Sequence, residues 1–157
     1  SFYCGIAISK KYGKYAHTGY AWAMRRDCFN QMGGLIDFAI LGAADNYMAH
    51  AIIGKAERMI DKRFHPIYNQ KILNWEADCE RYIHRRLGYV PGMLTHAWHG
   101  SKKDRGYNTR AQILITHNFN PALDLQTSWD GTYRIDEAKH AMENEIFKYF
   151  LSRNEDS

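Results

Sequence analysis

The chain has 157 residues, enough for one domain with a hydrophobic core, and its 45% hydrophobic and 24% charged residues are typical of a folded protein. No apolar run approaches the roughly 18 residues of a membrane-spanning helix, so we expect no such span. The net charge of +4 is modest, and like charges do not gather in long blocks, so composition alone does not call for nucleic-acid binding.

The first part of the chain predicts short elements. Residues 2–8 resemble a strand, and the apolar residues 19–24 predict a short buried strand. A short helix is expected over residues 25–31, ended by Gly33 and Gly34. Residues 35–41 form an irregular apolar connection to the next helix.

The rest of the chain predicts mostly helices. We expect helices over residues 45–54, 66–86, 107–117 and 137–151, and a strand over 90–97. Residues 125–135 predict a hairpin or a loose strand pair around Asp130 and Gly131. Four apolar residues of the last helix are expected to point inward: Met142, Ile146, Phe147 and Phe150. These elements predict one domain over residues 1–157, of a helix-rich α+β class with few strands.

Cysteine usage indicates the compartment. Cys4, Cys28 and Cys79 are odd in number and have no metal-binding spacing. We expect them to be reduced and mostly buried thiols of a cytoplasmic protein.

His96 and His99 are candidate metal ligands. Residues three apart on a regular strand point to opposite faces, so both can reach one metal only if the strand turns near Trp98, which Gly100 permits. Neutral imidazole is a good ligand for Mn²⁺ or Zn²⁺. The spacing leaves open the alternative that the two histidines are hydrogen-bonded packing residues.

A cationic loop follows the two histidines. It contains Lys102, Lys103, Arg105 and Arg110, with Tyr107 between the two arginines. Arginine offers paired donors to a phosphate and lysine supplies a compact charge, so the loop is a candidate phosphate site. The alternative is a solvated surface loop, and the arginines are stronger candidates than the lysines.

Asp45 is a candidate catalytic acid or base. It follows Gly42 and two alanines at an expected helix start. A carboxylate at this position can cap the helix. It can also accept the proton of a sugar or nucleoside hydroxyl, and the small residues before it would let a substrate approach the backbone.

Two segments together resemble a known superfamily. The run Gly19-Tyr20-Ala21-Trp22-Ala23-Met24-Arg25-Arg26, then Phe29, Gly33-Gly34-Leu35, Asp37 and Leu41-Gly42-Ala43-Ala44-Asp45, resembles the acceptor half of GT-A-fold glycosyltransferases. The pair His96-x-x-His99 resembles the Met-x-x-His metal motif of β-1,4-galactosyltransferases, which a mobile basic loop follows. The wider run, through Asp104-Arg105-x-Tyr107-x-x-Arg110, is similar to glycosyltransferase-like proteins of phages and large viruses. The resemblance covers roughly residues 17–117.

The resemblance implies a role for each matching residue. Asp45 would be the catalytic base, and His96 and His99 would hold Mn²⁺ or Mg²⁺ against the diphosphate of a sugar nucleotide. The remaining roles are donor phosphate binding by Lys103, Arg105, Tyr107 and Arg110, and acceptor binding by Gly19, Trp22 and Asp45. The implied activity is transfer of a sugar to an acceptor hydroxyl.

The sequence also departs from the family. Its members carry an Asp-x-Asp motif in an N-terminal nucleotide-binding half, and this chain contains no Asp-x-Asp. Ala43 and Ala44 replace the Gly or Glu that usually precede the acid. The expectation is therefore the C-terminal, acceptor-side portion of an α/β GT-A fold, with weak metal and nucleotide binding by itself.

Two other functions remain open from the sequence. The chain could be a non-catalytic glycosyltransferase-like module that binds a glycan, a nucleic acid or a partner chain. It could also be a small zinc hydrolase that uses His96, His99 and an acid, although no general-base motif supports this. For a transferase the acceptor could be a glycan, a protein or a modified DNA base.

Overall fold

The computed structural model describes residue 18 and residues 21–93, 95, 105–107 and 109–153. The chain divides into two compact units. Unit 1 comprises Ser1–Ile60 and Asn69–Pro91, and unit 2 comprises Asp61–Tyr68 and Gly92–Ser157. The described residues are rich in helix, with one two-stranded sheet, which agrees with the helix-rich mixed class expected from the sequence.

The first helix of unit 1, α1 (Arg26–Gln31), ends where the sequence predicts. Gly33 and Gly34 follow it with φ angles of 73° and 93°, a region that glycine enters without steric cost. The amide of Gly34 donates to the carbonyl oxygen of Phe29 at 3.0 Å, which closes the last turn. Residues 35–41 then continue without a regular helix or strand, also as expected.

The next helix, α2 (Ala44–Ile52), buries one face in unit 1. Its buried residues are Tyr47, Met48, Ala49, Ala51 and Ile52. The chain enters this helix through Gly42 and Ala43, both in the left-handed region at φ 97° and 75°. A short 3-10 helix, Ala56–Met59, follows, and the amide of Ala56 donates to the Glu76 carboxylate at 2.7 Å.

The longest helix, α3 (Pro66–Tyr82), begins at its predicted proline but ends four residues earlier than predicted. His84 and Arg85 lie in the left-handed region at φ 52° and 56°, so the helix cannot continue through them. The Arg85 guanidinium forms an ion pair with Glu80 at 2.8 Å and lies against the backbone of Gly54. The positive φ angles of His84 and Arg85 therefore end the helix before Gly88.

The core of unit 1 lies between α2, α3 and the irregular segment before α2. Ile72, Trp75 and Cys79 of α3 are almost completely buried, at helical spacing. The irregular segment contributes Ile36, Phe38, Ala39 and Leu41. The indole N–H of Trp75 donates to the carbonyl oxygen of Gly34 at 3.1 Å, so a polar atom at the edge of this core is satisfied.

Beyond Gly92, the described residues of unit 2 form a hairpin and two α-helices. Helix α4 (Arg110–Thr116) is followed by strands β1 (Leu125–Thr127) and β2 (Tyr133–Ile135), which pair antiparallel with Leu125 opposite Ile135. This confirms the hairpin around Asp130 and Gly131. A 3-10 turn, Glu137–Lys139, leads into helix α5 (His140–Ser152).

The core of unit 2 is small and partly aromatic. Phe119 and Met142 are fully buried, and Tyr68 meets Phe119 edge-on with ring centroids 6.2 Å apart. Asp124 is buried with its carboxylate accepting from the amide of Asn120 at 2.8 Å and lying 3.3 Å from the Lys139 ammonium. A buried charge paired in this way avoids most of the desolvation cost that an isolated carboxylate would incur.

Two strands predicted from the sequence are wrong over their described residues. Residues 21–24 and 90–93 have no regular structure. Trp22 is 44% exposed and Val90 is 92% exposed, so neither segment is a buried strand. Apolar composition indicated burial at both places, but no neighbouring strand in the described residues pairs with them.

Helix α5 also differs from expectation. Met142 is buried as predicted, whereas Phe147 is 63% and Phe150 is 47% exposed.

The helix predicted over residues 107–117 begins later than predicted, because residues 105–107 form a turn with Gly106 at φ 54°. Among the described residues, no helix combines the length and apolarity needed to cross a membrane.

The two apolar positions of α5 provide a stability test. We expect Met142→Ala to lower the free energy of unfolding by about 2–5 kcal/mol, because it opens a cavity in the core of unit 2. Phe147→Ala should change it by about 0.5 kcal/mol or less, since most of that side chain already contacts water. Urea denaturation of both variants measures the difference, and equal losses would contradict the placement of Phe147.

Candidate functional site

Asp45 lies within the first turn of α2 and is half-buried. It is not the cap of that helix, because the N-cap position is occupied by Ala43, which makes no side-chain capping bond. Instead the Asp45 Oδ2 accepts a hydrogen bond from the Thr18 hydroxyl at 2.6 Å. In the described part of the chain Oδ1 has no such partner, so one carboxylate oxygen is oriented and the other is available.

Trp22 is connected to Asp45 through the same threonine. The indole N–H of Trp22 donates to the Thr18 carbonyl oxygen at 2.7 Å. The ring is 44% exposed, so it presents an anchored aromatic surface to solvent rather than filling a core. We call Thr18, Trp22 and Asp45 the Thr18 cluster; Gly19, the other predicted acceptor residue, lies outside the described residues.

A shallow apolar cavity of about 300 Å³ begins at Trp22. Its lining residues are Trp22, Ala23, Met24, Arg26, Phe29 and Leu35. The sequence predicts a buried strand at this segment. The segment is instead largely exposed, so its side chains are available as a surface. An apolar depression with an aromatic wall and one cation is suited to the flat face of a sugar or a base.

The predicted phosphate-binding residues form a second group, in unit 2. The Arg105 guanidinium donates to the Tyr107 hydroxyl at 3.0 Å, and the Arg110 guanidinium lies over the Tyr107 ring, 4.7 Å from its centroid. The contacts hold two cations at one aromatic side chain. Such an arrangement is a reasonable anion site, because stacked guanidinium groups keep in-plane N–H donors for phosphate oxygens.

Helix α5 contributes further residues to this second group, and sequence reasoning missed them. The Tyr149 hydroxyl donates to the Arg105 carbonyl oxygen at 3.0 Å. The Arg153 guanidinium lies 5.7 Å from the Tyr149 ring centroid and 5.6 Å from that of Phe150. The spacing of Tyr149 and Arg153, four apart near a helix end, is the only signal that could have indicated the pair.

The predicted metal ligands His96 and His99 lie outside the described residues, as do Lys102 and Lys103. Among the residues that are described, no three His, Cys, Asp or Glu side chains are grouped as a metal site. The Thr18 cluster belongs to unit 1, and the Arg105–Tyr107–Arg110 group belongs to unit 2. Among the described residues, the structure thus connects Trp22 with Asp45 through Thr18, and places Arg105 and Arg110 at Tyr107.

Two other reactive or charged residues have structural roles. Burial raises the pKa of the Cys79 thiol far above its usual range, with nearby Glu76 and Asp78 adding to the effect, so Cys79 stays protonated and is a poor nucleophile. Arg25 donates two hydrogen bonds to Asp27, which lowers the pKa of that carboxyl. Arg25 is thus occupied at the surface by this ion pair.

Comparison of this chain with models of protein families, with curated proteins and with solved structures finds no match.

The bond between Thr18 and Asp45 can be measured by a double-mutant cycle. We expect Thr18→Ala and Asp45→Ala to be non-additive, with a coupling free energy of about 1–3 kcal/mol, because a hydroxyl bonded to a half-buried carboxylate is a charge-assisted hydrogen bond. Urea denaturation of both single variants and the double variant gives the value. Additivity within about 0.3 kcal/mol would show that the two side chains do not interact.

Proposed function

We propose that this chain is the acceptor-side portion of a metal-dependent glycosyltransferase, which moves a sugar from a sugar nucleotide to an acceptor hydroxyl. The observation that carries the proposal is the Thr18 cluster. A half-buried carboxylate is oriented by a hydroxyl, leaves one oxygen available, and is joined through one residue to an exposed indole. A base beside an aromatic platform is the arrangement that a sugar acceptor needs.

The chemistry assigned to Asp45 is general base catalysis. The acceptor hydroxyl would donate to Oδ1, and its proton would move to that oxygen as the hydroxyl oxygen attacks the sugar carbon. The Thr18 hydroxyl holds the carboxylate in one rotamer through Oδ2, which limits the reorganisation needed for proton transfer. Trp22 would pack on one face of the acceptor.

The donor diphosphate is assigned to the second group. Arg105, Tyr107 and Arg110 would bind its oxygens, with Lys103 of the same loop, and stabilise the charge that develops on the leaving group. His96 and His99 are the proposed ligands of Mn²⁺ or Mg²⁺, which would supply further neutralisation of that charge when bound. The two free cysteines among the described residues, Cys28 and Cys79, suit a cytoplasmic location for this reaction.

The decisive experiment is sugar transfer by the wild-type chain and by Asp45→Asn. A panel of sugar nucleotides with Mn²⁺ is incubated with the chain, and release of nucleoside diphosphate is followed with water and with sugar acceptors. We expect slow release for at least one donor. Asp45→Asn should reduce transfer by about 10²–10⁴-fold, because asparagine keeps the shape but cannot accept the proton.

Asp61→Asn is the matched control, since Asp61 is a surface carboxylate that pairs with Arg63. Its transfer rate should equal that of wild type. An Asp45→Asn rate equal to wild type would remove Asp45 as the base. Binding of acceptor with no donor binding and no release would favour a non-catalytic binding module.

Metal binding is tested separately by NMR. We expect Mn²⁺ to broaden the imidazole signals of His96 and His99, since a paramagnetic ion relaxes the nuclei of its own ligands. His96→Ala or His99→Ala should abolish the effect, and an unchanged wild-type spectrum would refute the assignment of the metal ligands.

A further inference from the structure

A row of polar residues on α3 lines a groove that has no assigned role. Lys71, Asn74 and Asp78 are spaced by three and four residues, so they lie on one face of the helix. They form one wall of a surface groove of about 240 Å³ in unit 1. The other wall is the irregular segment after α1, through Gly33, Leu35, Ile36, Asp37 and Phe38.

The floor of this groove is fixed by buried aromatic rings. Trp75 lies between the polar residues in sequence and is bonded to the Gly34 carbonyl oxygen at 3.1 Å. The Lys71 ammonium lies over the ring of Phe38, 5.4 Å from its centroid. Both rings are buried, at 7% exposure for Trp75 and 6% for Phe38, so the two walls are held at a set distance.

The polar groups along the row are not paired with each other. Lys71 and Asp78 are seven residues apart, which along a helix is about 10 Å and too far for an ion pair. In the described part of the chain, neither makes a hydrogen bond or an ion pair, although both are half-buried. Asn74 accepts from the Gln70 amide through Oδ1 at 2.8 Å, which leaves its amide hydrogens as donors.

The charged residues that line the groove favour some classes of ligand over others. Asp37 and Asp78 supply carboxylates, and Lys71 is the one cation among the lining residues. Two carboxylates would repel the phosphates of a nucleic acid, which needs clustered cations. A hydroxyl group suits the mixture, because it can donate to a carboxylate and accept from an ammonium or an amide at the same time.

The groove adjoins the cavity at Trp22. Leu35, which is 54% exposed, lines both depressions. An extended ligand could therefore lie along the row on α3, cross Leu35 and reach the indole that is joined to Asp45 through Thr18. The length of the row fits a short oligosaccharide better than a single sugar ring.

We propose that this groove is an acceptor subsite for an uncharged carbohydrate chain, bound through the hydroxyl groups of its sugars by Asp37, Lys71, Asn74 and Asp78. The inference rests on the proposed function only in treating the bound carbohydrate as the acceptor of the transferred sugar. It favours a glycan as the acceptor over a protein or a modified DNA base.

The test is binding of the whole chain to an array of neutral oligosaccharides, followed by titration calorimetry with the best ligand, without metal or sugar nucleotide. We expect binding that Asp78→Ala and Lys71→Met each weaken by about tenfold or more, the effect of losing a charge-assisted hydrogen bond. Glu80→Ala is the matched control, because Glu80 is an exposed carboxylate on the same helix that pairs with Arg85 outside the groove. It should bind as wild type does.

Three outcomes would overturn the inference: no oligosaccharide of the array binds, Asp78→Ala binds as tightly as wild type, or a single-stranded oligonucleotide competes for the groove. Thermal unfolding of each variant checks that the surface substitutions leave the chain folded. Oligosaccharide binding without any sugar transfer would refute the proposed function and leave the subsite in place. Sugar transfer with a KM for the acceptor unchanged by Asp78→Ala would refute the subsite alone.

Discussion

The hydrogen bond from the Trp75 indole to the Gly34 carbonyl oxygen is the constraint on which the surface of unit 1 depends. It joins residues 41 positions apart and ties the turn after α1 to the middle of α3. Because that turn starts the segment carrying Leu35 and Asp37, one bond sets the positions of the apolar cavity and of the polar groove. Trp75 is 93% removed from solvent, so packing against its neighbours limits its movement.

Each unit brings together a different kind of chemistry. Unit 1 presents an oriented carboxylate, an exposed indole and a row of polar side chains on α3, the groups to which we assign the acceptor. Unit 2 presents Arg105, Arg110 and Arg153 against aromatic rings, which suits an anion.

The sequence predicted elements well where local signals are strong and less well where tertiary contacts decide. The glycines after α1, the proline that begins α3 and the Asp130-Gly131 hairpin act within a few residues, and those predictions are confirmed. Exposure of Trp22 and Phe147 could not be read from local pattern, because an apolar residue is indistinguishable from a core residue until its neighbours are known. The hydrogen bond of Thr18 to Asp45 and that of the Tyr149 hydroxyl to the Arg105 carbonyl oxygen join residues 27 and 44 positions apart, a range at which no sequence spacing is informative.

The end of α3 limits how this protein can vary. His84 and Arg85 both occupy the left-handed region, where a side chain costs about 1–2 kcal/mol relative to the right-handed one. The ion pair of Arg85 with Glu80 and its packing on Gly54 offset part of that cost. Glycine or asparagine would be tolerated at position 84, whereas valine or isoleucine would not. Position 54 favours glycine because its φ is 66°, and an added Cβ would also lie 2.8 Å from the Arg85 guanidinium. Residues 54, 80 and 85 should therefore change together in related sequences, as a set distinct from the residues proposed for function.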